Sequence, residues 1–275
     1  MQKSRIFTLL LGVILLAGFS SCSKFRKVQK SEDWKVKYNA ALEYYDNEDY
    51  YRASALFEEI MPLIRGQKEG EIAQIKFAYC NYNQKQYQLA SYYFKNFYQT
   101  YSRSEFALEA EFMSAYALYM DSPIYNLDQK STKEAIEAMQ LFLNRHPSSK
   151  YLAEATQIIT DLQVKLETKS YENAKQYFKM GNYKSAIIAF NNFAIDFPDS
   201  YYNEELSFLK FSSQYQLALI SIKSKQEERF KEAIDFYMEL LDNYPGSNYL
   251  KDAAKMYDDS VNSIGNITNS QSLNN

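Results

Sequence analysis

Apolar and small residues recur at spacings of three and four along most of this chain, the period at which side chains line one face of an α-helix. One block repeats: an aromatic residue, two intervening positions, an alanine, three more positions, then a second large apolar residue. Tyr50, Ala53 and Phe57 form it, as do Tyr87, Ala90 and Phe94, then Tyr183, Ala186 and Phe190, then Phe230, Ala233 and Tyr237; Ala135 with Met139 marks a further copy. A small residue is needed where two helices cross closely, and the ring four positions later covers the crossing. The alanines stand 37, 45, 51 and 47 residues apart. The repeating unit is therefore a helix pair whose later copies carry insertions.

A turn punctuates these blocks. It reads His146-Pro147-Ser148-Ser149-Lys150-Tyr151, Phe197-Pro198-Asp199-Ser200-Tyr201-Tyr202 and Tyr244-Pro245-Gly246-Ser247-Asn248-Tyr249, with a proline-less version at Tyr101-Ser102-Arg103-Ser104-Glu105-Phe106. Proline stops one helix and the serine caps the next. The pattern resembles the tetratricopeptide repeat. Ala40, Ala41, Tyr44, Tyr50, Ala53 and Phe57 of the first copy, and Ala174, Tyr177, Gly181, Tyr183, Ala186 and Phe190 of the fourth, fall on that family's signature positions. Asn81 and Thr132 depart from it, standing where an aromatic is usual. The resemblance implies an all-α tetratricopeptide-repeat superhelix of about five helix-turn-helix units within residues 31–263, closed by a polar C-terminal capping helix from Asn248 to about Val261. Residues 264–275, GNITNSQSLNN after Ile264, have too little apolar content to pack and are expected to be a disordered tail.

The first residues have a different pattern. Lys3 and Arg5 precede an apolar run from Ile6 to Phe19, followed by Ser20, Ser21 and Cys22. This is the tripartite arrangement of a secretion signal, and the run is too short to span a bilayer comfortably. Phe19-Ser20-Ser21-Cys22 resembles a bacterial lipobox, which implies cleavage of residues 1–21 and lipidation of Cys22 with diacylglycerol and an acyl chain. Ser23 after the cysteine implies, by the same resemblance, sorting to the outer membrane. Residues 22–30, with Lys24, Arg26, Lys27 and Lys30, are expected to form a solvated basic tether near anionic headgroups.

Composition narrows the chemistry. With 7 Gly and 5 Pro in 275 residues, a sandwich or barrel lacks the turn residues it needs. The 26 Tyr and 18 Phe, beside a single Trp, make large rings the dominant packing material. A net charge of -3, with no basic stretch in the repeats, makes nucleic acid a poor partner. Cys80 is the only other cysteine, so no intramolecular disulfide is open once Cys22 is acylated, and it is expected to pack as a small residue. His146 is the only histidine and occupies the aromatic position of a turn; Glu58-Glu59 and Glu227-Glu228 point to different sides of their helices. No Gly-rich phosphate loop or nucleophile elbow occurs. The chain is expected to be no enzyme and to need no cofactor beyond the covalent lipid on Cys22.

A lipobox followed by about five such repeats resembles the BamD family of outer-membrane assembly lipoproteins. The third unit carries the resemblance: Met120-Asp121-Ser122-Pro123, then Leu127-Asp128-Gln129, then Thr132 to Ala138 and on through Phe142 to His146-Pro147-Ser148-Ser149. It implies a place on the periplasmic face of the outer membrane, within the β-barrel assembly machine. The partners implied are unfolded outer-membrane proteins at the amino-terminal repeats, the periplasmic domains of a BamA-like barrel subunit at the carboxy-terminal ones, and companion lipoproteins. The first helices of the first two units offer a candidate peptide-binding groove in Tyr38, Leu42, Tyr45 and Ile75, Tyr79, Tyr82. The alternative for any one of these rings is packing between helices. The charged clamp with which other tetratricopeptide proteins grip a terminal carboxylate is absent, since Tyr38 and Leu42 occupy its positions. Two other readings remain open. One is a glycan-uptake lipoprotein, although such proteins rely on several tryptophans and only Trp34 exists here; the other is an envelope adaptor of division or pilus assembly.

Overall fold

The computed structural model describes residues 24–272, and every regular element among them is helical. The signal segment and Cys22 lie outside the described residues. Eleven helices follow a short helical stretch at 24–29: α1 (Trp34–Asp46), α2 (Tyr50–Ile60), α3 (Lys68–Asn83), α4 (Tyr87–Thr100), α5 (Ala107–Asp121), α6 (Lys130–Arg145), α7 (Leu152–Lys179), α8 (Tyr183–Asp196), α9 (Tyr202–Leu219), α10 (Lys223–Asn243) and α11 (Leu250–Ser272). Two compact units divide them, one ending at Gln163 and the other beginning at Val164. The first holds three helix pairs and the start of α7, and the second holds the rest of α7 paired with α8, the pair α9 and α10, and α11.

The repeat block builds the crossing it was expected to build. Ala53, Ala90, Ala135, Ala186 and Ala233 are all fully buried, and Phe57, Phe94, Met139 and Phe190 are buried beside them. Each such side chain contributes roughly 1.5–3 kcal/mol by leaving water. The insertions in later copies take two forms. The 45-residue interval carries a loop at 122–129, whereas the next two are absorbed by longer helices, 28 residues in α7 and 21 in α10.

The two departures from the repeat signature are satisfied locally. Asn81 is buried and donates its amide to the Phe77 carbonyl at 2.7 Å. Thr132 is buried in a polar chain: its hydroxyl donates to Gln129 Oε1 at 2.7 Å and lies 2.7 Å from Ser122 Oγ. Gln129 in turn donates to the carbonyls of Ile124 (2.9 Å), Tyr125 (3.3 Å) and Leu127 (2.9 Å) and is only 5% exposed. One buried amide thus holds the inserted loop in shape.

The turns share one geometry. Ser104, Ser149, Ser200 and Ser247 each accept the N–H two residues on, at 3.1, 3.1, 3.1 and 3.2 Å, and so open the next helix. The residue that begins the turn packs on the ring four positions earlier: Tyr101 on Phe97, His146 on Phe142 and Phe197 on Phe193, with centroids 5.3, 5.2 and 5.1 Å apart. The ring that ends the turn stacks on a first helix before it. Tyr151 lies on Phe112 (4.2 Å, 6°), Tyr202 on Tyr171 (3.8 Å, 19°) and Tyr249 on Phe208 (4.9 Å, 14°).

Two expectations at the ends are corrected. The basic segment after Cys22 is not wholly a solvated tether: residues 24–29 are helical, and Phe25 and Val28 pack against the first core cluster. Phe25 meets Tyr44 edge-on at 5.8 Å, beneath the Arg52 guanidinium, and Lys24 pairs with Glu43 at 2.8 Å. The segment expected to be a disordered tail from residue 264 continues α11 through Ser272. Ile264 and Ile267 are half-buried, extending the helical series of Tyr257 and Ser260, and no proline interrupts it.

Candidate functional site

The first helices of the first two pairs carry the aromatic series expected from the sequence. On α1, Tyr38 meets Trp34 edge-on at 6.4 Å, and Tyr38, Leu42 and Tyr45 pack partly against the first core. Tyr45 meets Tyr50 edge-on at 5.6 Å and carries the Lys76 ammonium 3.8 Å from its ring centre. On α3, Tyr79 sits edge-on to Phe94 at 4.9 Å and donates its hydroxyl to Glu109. Tyr82 contacts Tyr87 at 5.5 Å and Tyr116 of α5 at 6.2 Å. The half-buried rings therefore continue from helix to helix.

Ile75 does not belong to this surface. It is 5% exposed, inside the cluster of Ala78, Ala90, Phe94 and Phe97. Its spacing from Tyr79 places it one step round the helix toward α4, where an aliphatic side chain gains most by burial. The sequence reading in turn passed over Lys76, Glu109 and Tyr116. Glu109, Phe112, Tyr116 and Tyr119 follow one another at three and four on α5, so extending the series to the third pair would have found two of them.

Burial raises these phenols above their ordinary value. It pushes Tyr45 and Tyr82 up to about 12. Tyr79 is raised further, first by burial and then by its hydrogen bond to the Glu109 carboxylate; burial also raises Tyr38. Neutral phenols stack, donate a proton in a hydrogen bond and accept one, but supply no anion for chemistry near neutral pH. The surface suits recognition of apolar and amide groups.

Other candidates fall into place structurally. Burial pushes the Cys80 thiol up to about 12, as befits a packed side chain. His146 Nε2 lies 2.9 Å from Glu111, which also accepts from Arg145 at 2.7 Å. Glu59 accepts from Lys37 at 2.5 Å, Glu227 pairs with Lys231 and Glu228 with Lys225, each at 2.7 Å. No cluster suited to a metal ion occurs among the described residues, and none of their helices is long and apolar enough to cross a membrane. Open clefts lie at several of the turns. One of about 680 Å³ is lined by Lys68, Ile72, Tyr101, Arg103 and Phe106.

The chain is similar to several known proteins. An outer membrane protein assembly factor BamD from Neisseria meningitidis serogroup B is 24% identical over 91% of this chain and 94% of its own length. A putative outer membrane protein assembly factor BamD from Aquifex aeolicus is 26% identical over 80% of this chain and 71% of its own. A solved tetratricopeptide-repeat protein from Bacteroides fragilis aligns with 85% of this chain and all of its own, at 15% identity and a TM-score of 0.37. Residues 212–247 match the tetratricopeptide repeat itself. With residues 30–229 matching the outer membrane lipoprotein family YfiO, an all-helical repeat array with a tyrosine-lined first-helix surface is placed: the chain belongs to that family.

Proposed function

We propose that this protein is a lipid-anchored scaffold of β-barrel assembly at the outer membrane, tethered through Cys22 on the periplasmic face. The observation that carries this reading is the match to BamD assembly factors along nearly the whole of both chains. The tyrosine series of the first unit supports a receiving surface for extended, aromatic-ended segments such as unfolded outer-membrane proteins carry. Rings that lose little entropy when they bind suit partners that vary in sequence. A BamA-like barrel subunit and companion lipoproteins are the stable partners in this reading, and the protein's part is to position them rather than to do chemistry. Affinity purification of the full chain from detergent-solubilised envelope tests it. Recovery of a large barrel protein with periplasmic domains is the expected result, and its absence from repeated preparations overturns the reading.

A further inference from the structure

The three stacked turns share proline, the capping serine and the stacked ring, and they differ in the charge of the residue between serine and ring. In the first unit this is Lys150, whose ammonium lies 4.9 Å from the Tyr151 ring centre. In the second unit the corresponding residues are Tyr201 and Asn248. Tyr201 is 78% exposed and lies against Tyr202 at 4.0 Å. Asn248 brings no charge to Tyr249, and no cation among the described residues lies over that ring.

A cleft of about 370 Å³ opens between these two turns, lined by Tyr201, Tyr202, Glu204, Glu205, Asn248 and Tyr249. Its carboxylates are not equivalent. Glu205 is engaged by Lys175 at 2.7 Å and by the Tyr171 hydroxyl at 2.5 Å. Glu204 has no hydrogen-bond or ion-pair partner among the described residues. Burial raises Tyr244 and Tyr249; the Glu204 charge adds to this at Tyr244, and at Tyr249 the charge of Glu205 and then that of Glu204 add to it while Lys175 opposes them. Acidic residues in the first turn of α9 are favourable to the helix dipole, which explains a carboxylate there but not the aromatic walls. The inner end of the same ring stack already holds a cation, since Lys175 lies 4.5 Å over Tyr171.

We propose that this cleft is a socket for an arginine side chain of a partner protein, its guanidinium stacked on Tyr249 and paired with Glu204. The proposal deepens the scaffold reading and rests on it. A planar cation suits the space because it satisfies a ring face and a carboxylate together, which a compact ammonium does less well. The repeat itself supplies the precedent: the place that Lys150 fills from within the chain is vacant at Asn248.

The test titrates the full-length chain in detergent with a capped Gly-Arg-Gly peptide and its citrulline counterpart, following ring resonances of labelled tyrosine. The arginine peptide should shift Tyr249 and bind about fivefold or more tightly than the citrulline peptide. Glu204→Gln and Asn248→Lys should each weaken it by a similar factor, the second because it plants the chain's own cation in the socket. Lys150 shows that the turn accepts lysine, and a thermal melt checks that the variant folds. Equal binding of the two peptides, or undiminished binding by both variants, overturns the proposal. Spermidine binding more tightly than the arginine peptide overturns it in favour of small polyamines. If a barrel protein still co-purifies with Glu204→Gln while the peptide shows no arginine preference, the socket falls and the scaffold reading stands.

Discussion

Tyr79 and Glu109, thirty residues apart in the chain, are joined by a hydrogen bond from phenol to carboxylate, tying the first helix of the second pair to that of the third. The link lies on the candidate surface, so one residue serves both packing and presentation. Tyr79→Phe should cost about 1–2 kcal/mol, because a hydrogen bond to a charged group is lost while the ring stays. A double-mutant cycle with Glu109→Gln, read by urea denaturation, should give a coupling of about 1 kcal/mol. A coupling near zero would show that the contact contributes nothing to holding the pairs together.

Removing rings that are only half-buried should separate binding from folding. Tyr45→Ala with Tyr82→Ala is expected to weaken binding of a barrel carboxy-terminal peptide about tenfold or more, since a few aromatic anchors dominate such surfaces. Helical content should be unchanged by circular dichroism. Unaltered affinity would leave these rings a purely structural role.

Two glycines should respond differently to the same substitution. Gly181 has φ +73° and open space where a Cβ would stand, so Gly181→Ala should cost about 1 kcal/mol from backbone strain alone. Glu48 and Lys85 hold the same left-handed conformation at the matching turns, with φ 61° and 62°, which shows the strain is tolerable. At Gly70 a Cβ would lie 2.3 Å from the Ile64 carbonyl oxygen, an approach that forces the chain to move. Gly70→Ala should therefore lower the melting temperature distinctly more than Gly181→Ala.

Acid should weaken the second unit through Glu205. Burial raises its carboxyl, but hydrogen bonds from Lys175 and Tyr171 outweigh burial and hold it below its ordinary value of 4.5. Because the folded-state value is the depressed one, the stabilisation is complete above that ordinary value. It fades as pH falls through the lower, folded one. Glu205→Gln should lose on the order of 1 kcal/mol at pH 7 and flatten the fall in stability below about pH 4.5. An unchanged acid limb in denaturant melts from pH 6 to pH 2 would refute this.

Gln129 should control the inserted loop. Gln129→Leu removes the amide from which three carbonyls accept and the oxygen to which the Thr132 hydroxyl donates, at a cost of about 2–3 kcal/mol. Amide exchange across residues 122–130 should quicken while exchange in α1 and α2 stays as it was.

The helix pairs were legible in the sequence because their crossing demands one small residue and one large one at fixed spacing, and Ala53 with Phe57 or Ala186 with Phe190 announces it. What was not legible depended on partners distant in the chain. Ile75 shares the period of Tyr79, and only the position of α4 decides that one is core and the other surface. Phe25 and Val28 sit in a run of basic residues whose charge outweighed two apolar positions, so their docking on the first core was missed. The extension of α11 failed to show because polar residues such as Asn266 and Thr268 surround the half-buried Ile264 and Ile267. Lys76 and Glu109 were invisible as site residues because a charge on an exposed helix face reads as solvated until a ring is found beneath it.

The turns place serine and a stacked ring where the fold needs them and leave the residue between them unconstrained. Lysine, tyrosine and asparagine all occupy it without altering the stack beneath. A single codon at that place can therefore change what a repeat attracts while its architecture is inherited intact. Copies of one motif are in this way free to acquire separate tastes, and a repeat array can diversify its partners without being redesigned.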